Sequence, residues 1–269
     1  MRRGLVESTM LGFSRAIAHA MLSENTARQR GLLQSLDPRV RLLGLFALLL
    51  AVMLSRKLSV VAALFAVAVV IALASYVSLG ALVKRVWLIV LGFTGIIALP
   101  AVFVTPGDAV ASFGTMSITQ QGLRTAALLL LRVETAVTFT SLLILCTPWS
   151  YVLKALRALR LPREVISILA MTYRYVFLLV DTAGQMFQSR QSRTIGIIPP
   201  DQQRHLAART AGVLLSKSLA LSNDVYLAMQ SRGFRGEVQL LTDFRMRVWD
   251  YCGLILFLVA AVAAVWAGR

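Results

Sequence analysis

Gln-Ser-Arg occurs three times in the polar part of this chain, as Gln188-Ser189-Arg190, Gln191-Ser192-Arg193 and Gln230-Ser231-Arg232, and Gly233 follows the last. Arginine suits a grip on a partner, because its planar fork makes bidentate contacts with carboxylates and keeps its charge when partly desolvated. The plainer account of any one site is a helix end, with Arg complementing the dipole and Gly as the cap. Repetition about forty residues apart favours two prongs that plug into a partner.

Four further charges fall in apolar surroundings: Arg132, Glu134, Arg174 and Asp181. An ionisable group at mid-bilayer costs roughly 2.5–3.5 kcal/mol on insertion scales, so it usually faces protein. These four are expected to be buried struts that lock helices together, the alternative being a substrate or proton path. Catalytic patterns are missing. The chain holds no His-Glu-x-x-His, no paired aspartates, no Ser–His arrangement and no GxxxxGK[S/T] loop. A process driven by a nucleotide therefore needs another chain to hydrolyse it. His19 and His205 stand alone, and Cys146 and Cys252 lack CxxC spacing, so neither a metal site nor a disulfide is expected.

The elements that must position these residues are mostly greasy. Mean hydropathy is +0.74, and 58% of the 269 residues are hydrophobic, which places the chain among integral membrane proteins. The net charge of +16 lies mainly between apolar runs, where the positive-inside rule explains it without nucleic acid. Residues 1–39 form a basic N-terminal segment with neither a secretory nor a twin-arginine signal. Spans are expected at about 40–55, 58–82, 86–104, 121–146 and 249–266. Asp37 serves as N-cap and Pro38 as first helical residue of the first.

Residues 106–120 hold no Lys or Arg, whereas 149–248 hold fourteen basic residues against six acidic. This puts the first stretch outside, and the second inside together with residues 1–39. Arg56-Lys57 then breaks the rule, and the C-terminus lies outside. Within the basic region, 149–161 has the pattern of an interfacial amphipathic helix. Residues 163–193 and 201–232 read as two long helices, the first spanning roughly 45 Å at 1.5 Å per residue. Its first half is apolar and its second half polar, so it starts in the membrane or its interface and projects into the cytosol. Both helices end at a Gln-Ser-Arg. The expected fold is an all-α polytopic membrane protein with about five transmembrane helices and a cytosolic pair of long helices. Its parts are 1–39, 40–148, 149–248 and 249–269.

The chain resembles the transmembrane T component of energy-coupling-factor transporters, most closely the cobalt-type branch called CbiQ. The resemblance covers about residues 33–240. It rests on Leu36-Asp37-Pro38-Arg39, Pro106-Gly107, Leu130-Leu131-Arg132, Thr147-Pro148, Leu156-Arg157-Ala158-Leu159-Arg160-Leu161-Pro162, Tyr173-Arg174-Tyr175, Gln191-Ser192-Arg193-Thr194 and Ser231-Arg232-Gly233-Phe234-Arg235-Gly236. In that family two arginine-bearing triplets, commonly Ala-Arg-Gly, tip crossed cytosolic coupling helices that enter grooves on two ATPase subunits. Here Ser precedes each Arg, and Thr194 stands where Gly is often found. The resemblance implies coupling contacts at Ser192, Arg193, Ser231, Arg232 and Gly233. Arg190 is the alternative first tip. It also implies a non-catalytic subunit of the bacterial cytoplasmic membrane without a cofactor. Its partners are lipid, an ABC-type ATPase dimer and a membrane S component that captures substrate. Cobalt ions are the implied cargo, with nickel or a vitamin as alternatives. A membrane-embedded enzyme or assembly factor without an ATPase is the competing class.

Overall fold

The computed structural model describes residues 31–77, 79–104, 109–113, 116–159, 161–193, 199–234 and 248–269. Most of the expected N-terminal segment, Pro106-Gly107, Arg160, Thr194 and Arg235-Gly236 lie outside these. The elements, numbered in chain order, are α1 (Leu32–Ser35), α2 (Pro38–Leu54), α3 (Leu58–Ala74) and α4 (Leu79–Leu82). A π-helical turn (Val83–Trp87) carries α4 into α5 (Leu88–Val104). Then come β1 (Ala109–Phe113), β2 (Met116–Thr119), α6 (Gln120–Cys146), α7 (Trp149–Ala158), α8 (Arg163–Gln191), α9 (Pro200–Ser231) and α10 (Val248–Gly268). The fold is all-α apart from one antiparallel hairpin of β1 and β2, which occupies the stretch free of Lys and Arg. Among the described residues three helices are long and apolar enough to cross a membrane: α6, Arg163–Arg190 of α8, and α10. Leu58–Ala74 and Leu88–Pro100 are shorter apolar helices.

Two compact units emerge from the packing. One comprises residues 1–23 and 156–243, the other 24–155 and 244–269. In the second unit α2, α3, α6 and α10 share a core that includes Leu48, Val61, Phe139, Leu142 and Phe257. Asp37 caps α2 as expected, its carboxylate accepting from Arg39 N at 2.9 Å with Pro38 in the first turn. A cap of this type stabilises a helix by about 1 kcal/mol. The tightest seam joins α2 to α10. A Cβ on Gly44 would stand 2.5 Å from the Phe257 ring, and one on Gly268 2.8 Å from the Ser55 side chain. Trp249 and Trp266 are exposed near the two ends of α10, the placement that interfacial aromatics take in a membrane.

One expected boundary moves. The span drawn over 58–82 stops at Ala74, and the next helix starts at Leu79. Tyr76 adopts the left-handed φ of 54°. Tyr76 N donates to Leu73 O at 3.1 Å and Val77 N to Ala72 O at 3.1 Å, the two bonds of a Schellman cap. The cause is tertiary: Ser75 O accepts from Gln34 Nε2 at 3.0 Å, and Ser75 Oγ from Leu33 N at 3.4 Å.

The exceptional basic pair also has a local explanation. Lys57 Nζ donates to Ala267 O at 2.9 Å, Arg56 N to Gly268 O at 3.0 Å, and Arg132 Nη2 to Ser55 O at 2.6 Å. The C-terminal ends of α2 and α10 meet here, and their last carbonyls need donors and favour cations.

Candidate functional site

The two long helices of the first unit end in the same way. At the end of α8, Arg193 N donates to Arg190 O at 3.0 Å and Ser192 Oγ to Ser189 O at 3.0 Å. At the end of α9, Arg232 N donates to Met229 O at 3.1 Å and Ser231 Oγ to Ala228 O at 2.9 Å. Each Arg is thus bonded through its own N–H to the carbonyl three residues back, after a Ser whose hydroxyl folds onto the helix. Ser192, Arg193, Ser231, Arg232 and Gly233 are all exposed. Gly233 has φ of 76°. Its N–H reaches Gln230 O at 2.9 Å and that of Phe234 reaches Met229 O at 3.0 Å, so a Schellman cap ends α9. Only Gly holds that backbone angle without strain.

Arg190 is built differently. It lies within α8, and Ser189 Oγ before it bonds Gln185 O, four residues back, at 2.8 Å. The local equivalent of Arg232 is therefore Arg193. Behind the tips, α8 and α9 enclose a groove of about 530 Å³ whose lining includes Ile168, Met171, Tyr175, Leu221, Val225 and Phe234. Among the described residues only 6% of the apolar window of α8 is buried.

The four expected struts divide. Glu134 is buried, and among the described residues neither of its carboxylate oxygens has a hydrogen-bond partner. Arg132 is half-buried and reaches Ser55 O, as above, while its Nε is unpartnered. Thr138, one turn after Glu134, accepts from Trp87 Nε1 at 3.1 Å at the end of the π-turn. Arg174 and Asp181, by contrast, are exposed on α8 among the described residues. Arg174 lies 5.9 Å from the Tyr175 ring centre, and Asp181 accepts from Gln185 Nε2 at 2.9 Å. Their surroundings were read from apolar sequence neighbours, whereas the described residues leave most of α8 uncovered.

The charges that are buried and well partnered are others. Arg41 is 5% exposed. Its Nε donates to Leu36 O at 2.9 Å, Nη1 to Cys146 O at 2.8 Å and Nη2 to Gln34 O at 2.7 Å. Asp250 is buried too, and its Oδ1 accepts from Asp37 N at 2.7 Å. Arg41 was not singled out from the sequence. The Asp37-Pro38 cap, with a basic residue one turn on, was the available signal. Among the described residues no group of three or more His, Cys, Asp or Glu side chains could hold a metal ion.

Comparison with known proteins follows the same lines. A family model described as cobalt transport protein matches residues 29–242. An uncharacterized protein of Methanocaldococcus jannaschii is 31% identical over 265 residues, 94% of this chain and 91% of that protein. The cobalt transport protein CbiQ of Rhodobacter capsulatus is 30% identical over 204 residues, 74% and 81% of the two chains. The energy-coupling factor transporter transmembrane protein EcfT of Exiguobacterium sibiricum is 28% identical over 180 residues, 62% and 67% of the two. Helix α10 lies beyond the residues that the family model matches.

Proposed function

As a member of the CbiQ cobalt transport protein family, the chain is, we propose, the membrane coupling subunit of an energy-coupling-factor importer for cobalt ions. In this reading an ABC-type ATPase dimer binds and hydrolyses ATP, and a separate membrane S component captures the ion. The present chain relays movement from one to the other and performs no chemistry itself. The observation that carries the reading is the pair of exposed, identically bonded arginine tips at Arg193 and Arg232. Two like prongs suit a partner with two like sockets, and a guanidinium fork suits acidic or carbonyl-lined grooves.

The same reading places the protein in the cytoplasmic membrane. Residues 149–248 lie in the cytosol and at the membrane interface, the N-terminal 39 face the cytosol, and 40–148 and 249–269 are the membrane parts. Cobalt is cargo held by the S component, so this chain needs neither a metal site nor a cofactor. The groove between α8 and α9 and the open apolar face of α8 are surfaces for membrane-embedded partners. The test is purification of the tagged chain from its native membrane with identification of whatever accompanies it. An ABC-type ATPase and a small polytopic membrane protein are expected in stable amounts. Recovery of the chain without an ATPase, under conditions that preserve other ABC transporters, overturns the proposal.

A further inference from the structure

We propose that the buried node of Arg41, Asp37 and Asp250 is the anchorage through which movement of α8 and α9 enters the unit built on α2, α3, α6 and α10, with Arg41 as its positioning residue. The inference rests on the relay role proposed above. Among the described residues the chain passes between the two units at 155/156, inside α7. That crossing is reached through Pro148 from Cys146, whose carbonyl Arg41 grips. Arg41 also grips the carbonyls of Gln34 and Leu36, just before α2. Asp250, in the first turn of α10, holds the N–H of Asp37.

A guanidinium is well fitted to this place. Its five N–H donors sit in a rigid fork and do not lose their charge. Cys146 O ends α6, where the last carbonyls lack helical partners and a cation is favoured. Asp250 lies where the positive end of α10 favours a carboxylate. All three acceptors of Arg41 are backbone atoms, so the node fixes the course of the chain itself. Elsewhere the unit of α2, α3, α6 and α10 is held largely by apolar packing, which resists sliding less than directional bonds in a low-dielectric setting.

The experiment compares reconstituted complexes carrying Arg41→Gln, Asp250→Ala or Asp250→Asn, with ATP hydrolysed per cobalt ion imported as the readout at matched subunit content. Arg41→Gln and Asp250→Ala are expected to raise that ratio several-fold while the ATPase stays bound. Asp250→Asn keeps an oxygen for the Asp37 N–H and is expected to remain near wild type. Wild-type ratios in the first two variants overturn the inference, and an Asp250→Asn complex as uncoupled as Asp250→Ala overturns the hydrogen-bond assignment. If Arg41→Gln does not assemble, Asp250→Ala decides on the same ratio. If no ATPase binds even the wild-type chain, it is the relay role that fails. The node is then tested on the full chain in nanodiscs, with spin labels at Ala63→Cys and Gln202→Cys after replacement of Cys146 and Cys252. Arg41→Gln is expected to broaden the distance distribution between the labels, and an unchanged width overturns the inference.

Discussion

The double substitution Arg193→Glu with Arg232→Glu is expected to abolish ATP-driven cobalt uptake and to release the ATPase from purified complexes, while the chain still inserts and folds. Loss of one charge-assisted contact at a desolvated interface costs about 2–5 kcal/mol. At about 1.4 kcal/mol per factor of ten, that is roughly thirtyfold to a few thousandfold in affinity for each tip. Charge reversal adds repulsion against whatever acidic or carbonyl groups line the socket. Both side chains are exposed, and surface changes away from special features usually stay within about 0.5 kcal/mol of stability. Co-purification and uptake in the same preparation check it. Full uptake by the double variant refutes the role of the tips. Arg190→Glu provides the internal comparison. Arg190 lies inside α8, so its replacement is expected to weaken the complex less than Arg193→Glu.

Ala183→Pro is expected to separate hydrolysis from import. Helix α8 runs unbroken from Arg163 to Gln191 and contains no proline, so its hydrogen-bond ladder can transmit displacement along its length. An interior proline removes one bond and clashes with the preceding turn, at a cost of about 3 kcal/mol or more, and kinks the helix. The arginine tip survives that change, so partial assembly is expected, with ATP still hydrolysed and cobalt uptake strongly reduced. Both rates measured on one reconstituted sample decide the point. A wild-type ratio of ATP to cobalt in this variant shows that the force travels by another element.

Local signals carried much of the architecture. The apolar run of α6, the Asp37-Pro38 cap and the proline and glycine punctuation around α9 each reflect short-range physics, and the helices stand within a few residues of where those signals put them. What escaped is long-range. The break at Ser75–Val77 has no glycine or proline, and it is imposed by Leu33 and Gln34, some forty residues away in sequence. Asp250 is buried because α10 folds back along α2, a pairing across 213 residues that no local pattern encodes. The hairpin of β1 and β2 lies within the 106–120 stretch, where two short strands carry too little periodicity to be read from sequence.

The candidate site divides in the same manner. Arg193 and Arg232 stand exposed at two helix ends, where the repeated triplet placed them, because a triplet that closes a helix needs no tertiary information. Burial did need it. Arg174 sits among apolar neighbours in sequence and is exposed on α8, whereas Arg41, at the polar edge of a span, is almost wholly enclosed. Sequence context gives the company a side chain keeps along one helix, and packing decides which face of that helix is covered.

The central claim is that this chain transmits ATP-driven movement to a separate cobalt-capturing subunit. Its most direct test is radioactive cobalt uptake into proteoliposomes holding the ATPase pair and the membrane partner recovered with this chain, with ATP supplied on the ATPase side and the present chain either included or left out. The expected result is accumulation only when all the components and hydrolysable ATP are present. Equal ATP-driven uptake without the chain, or uptake by the chain alone, would contradict the account.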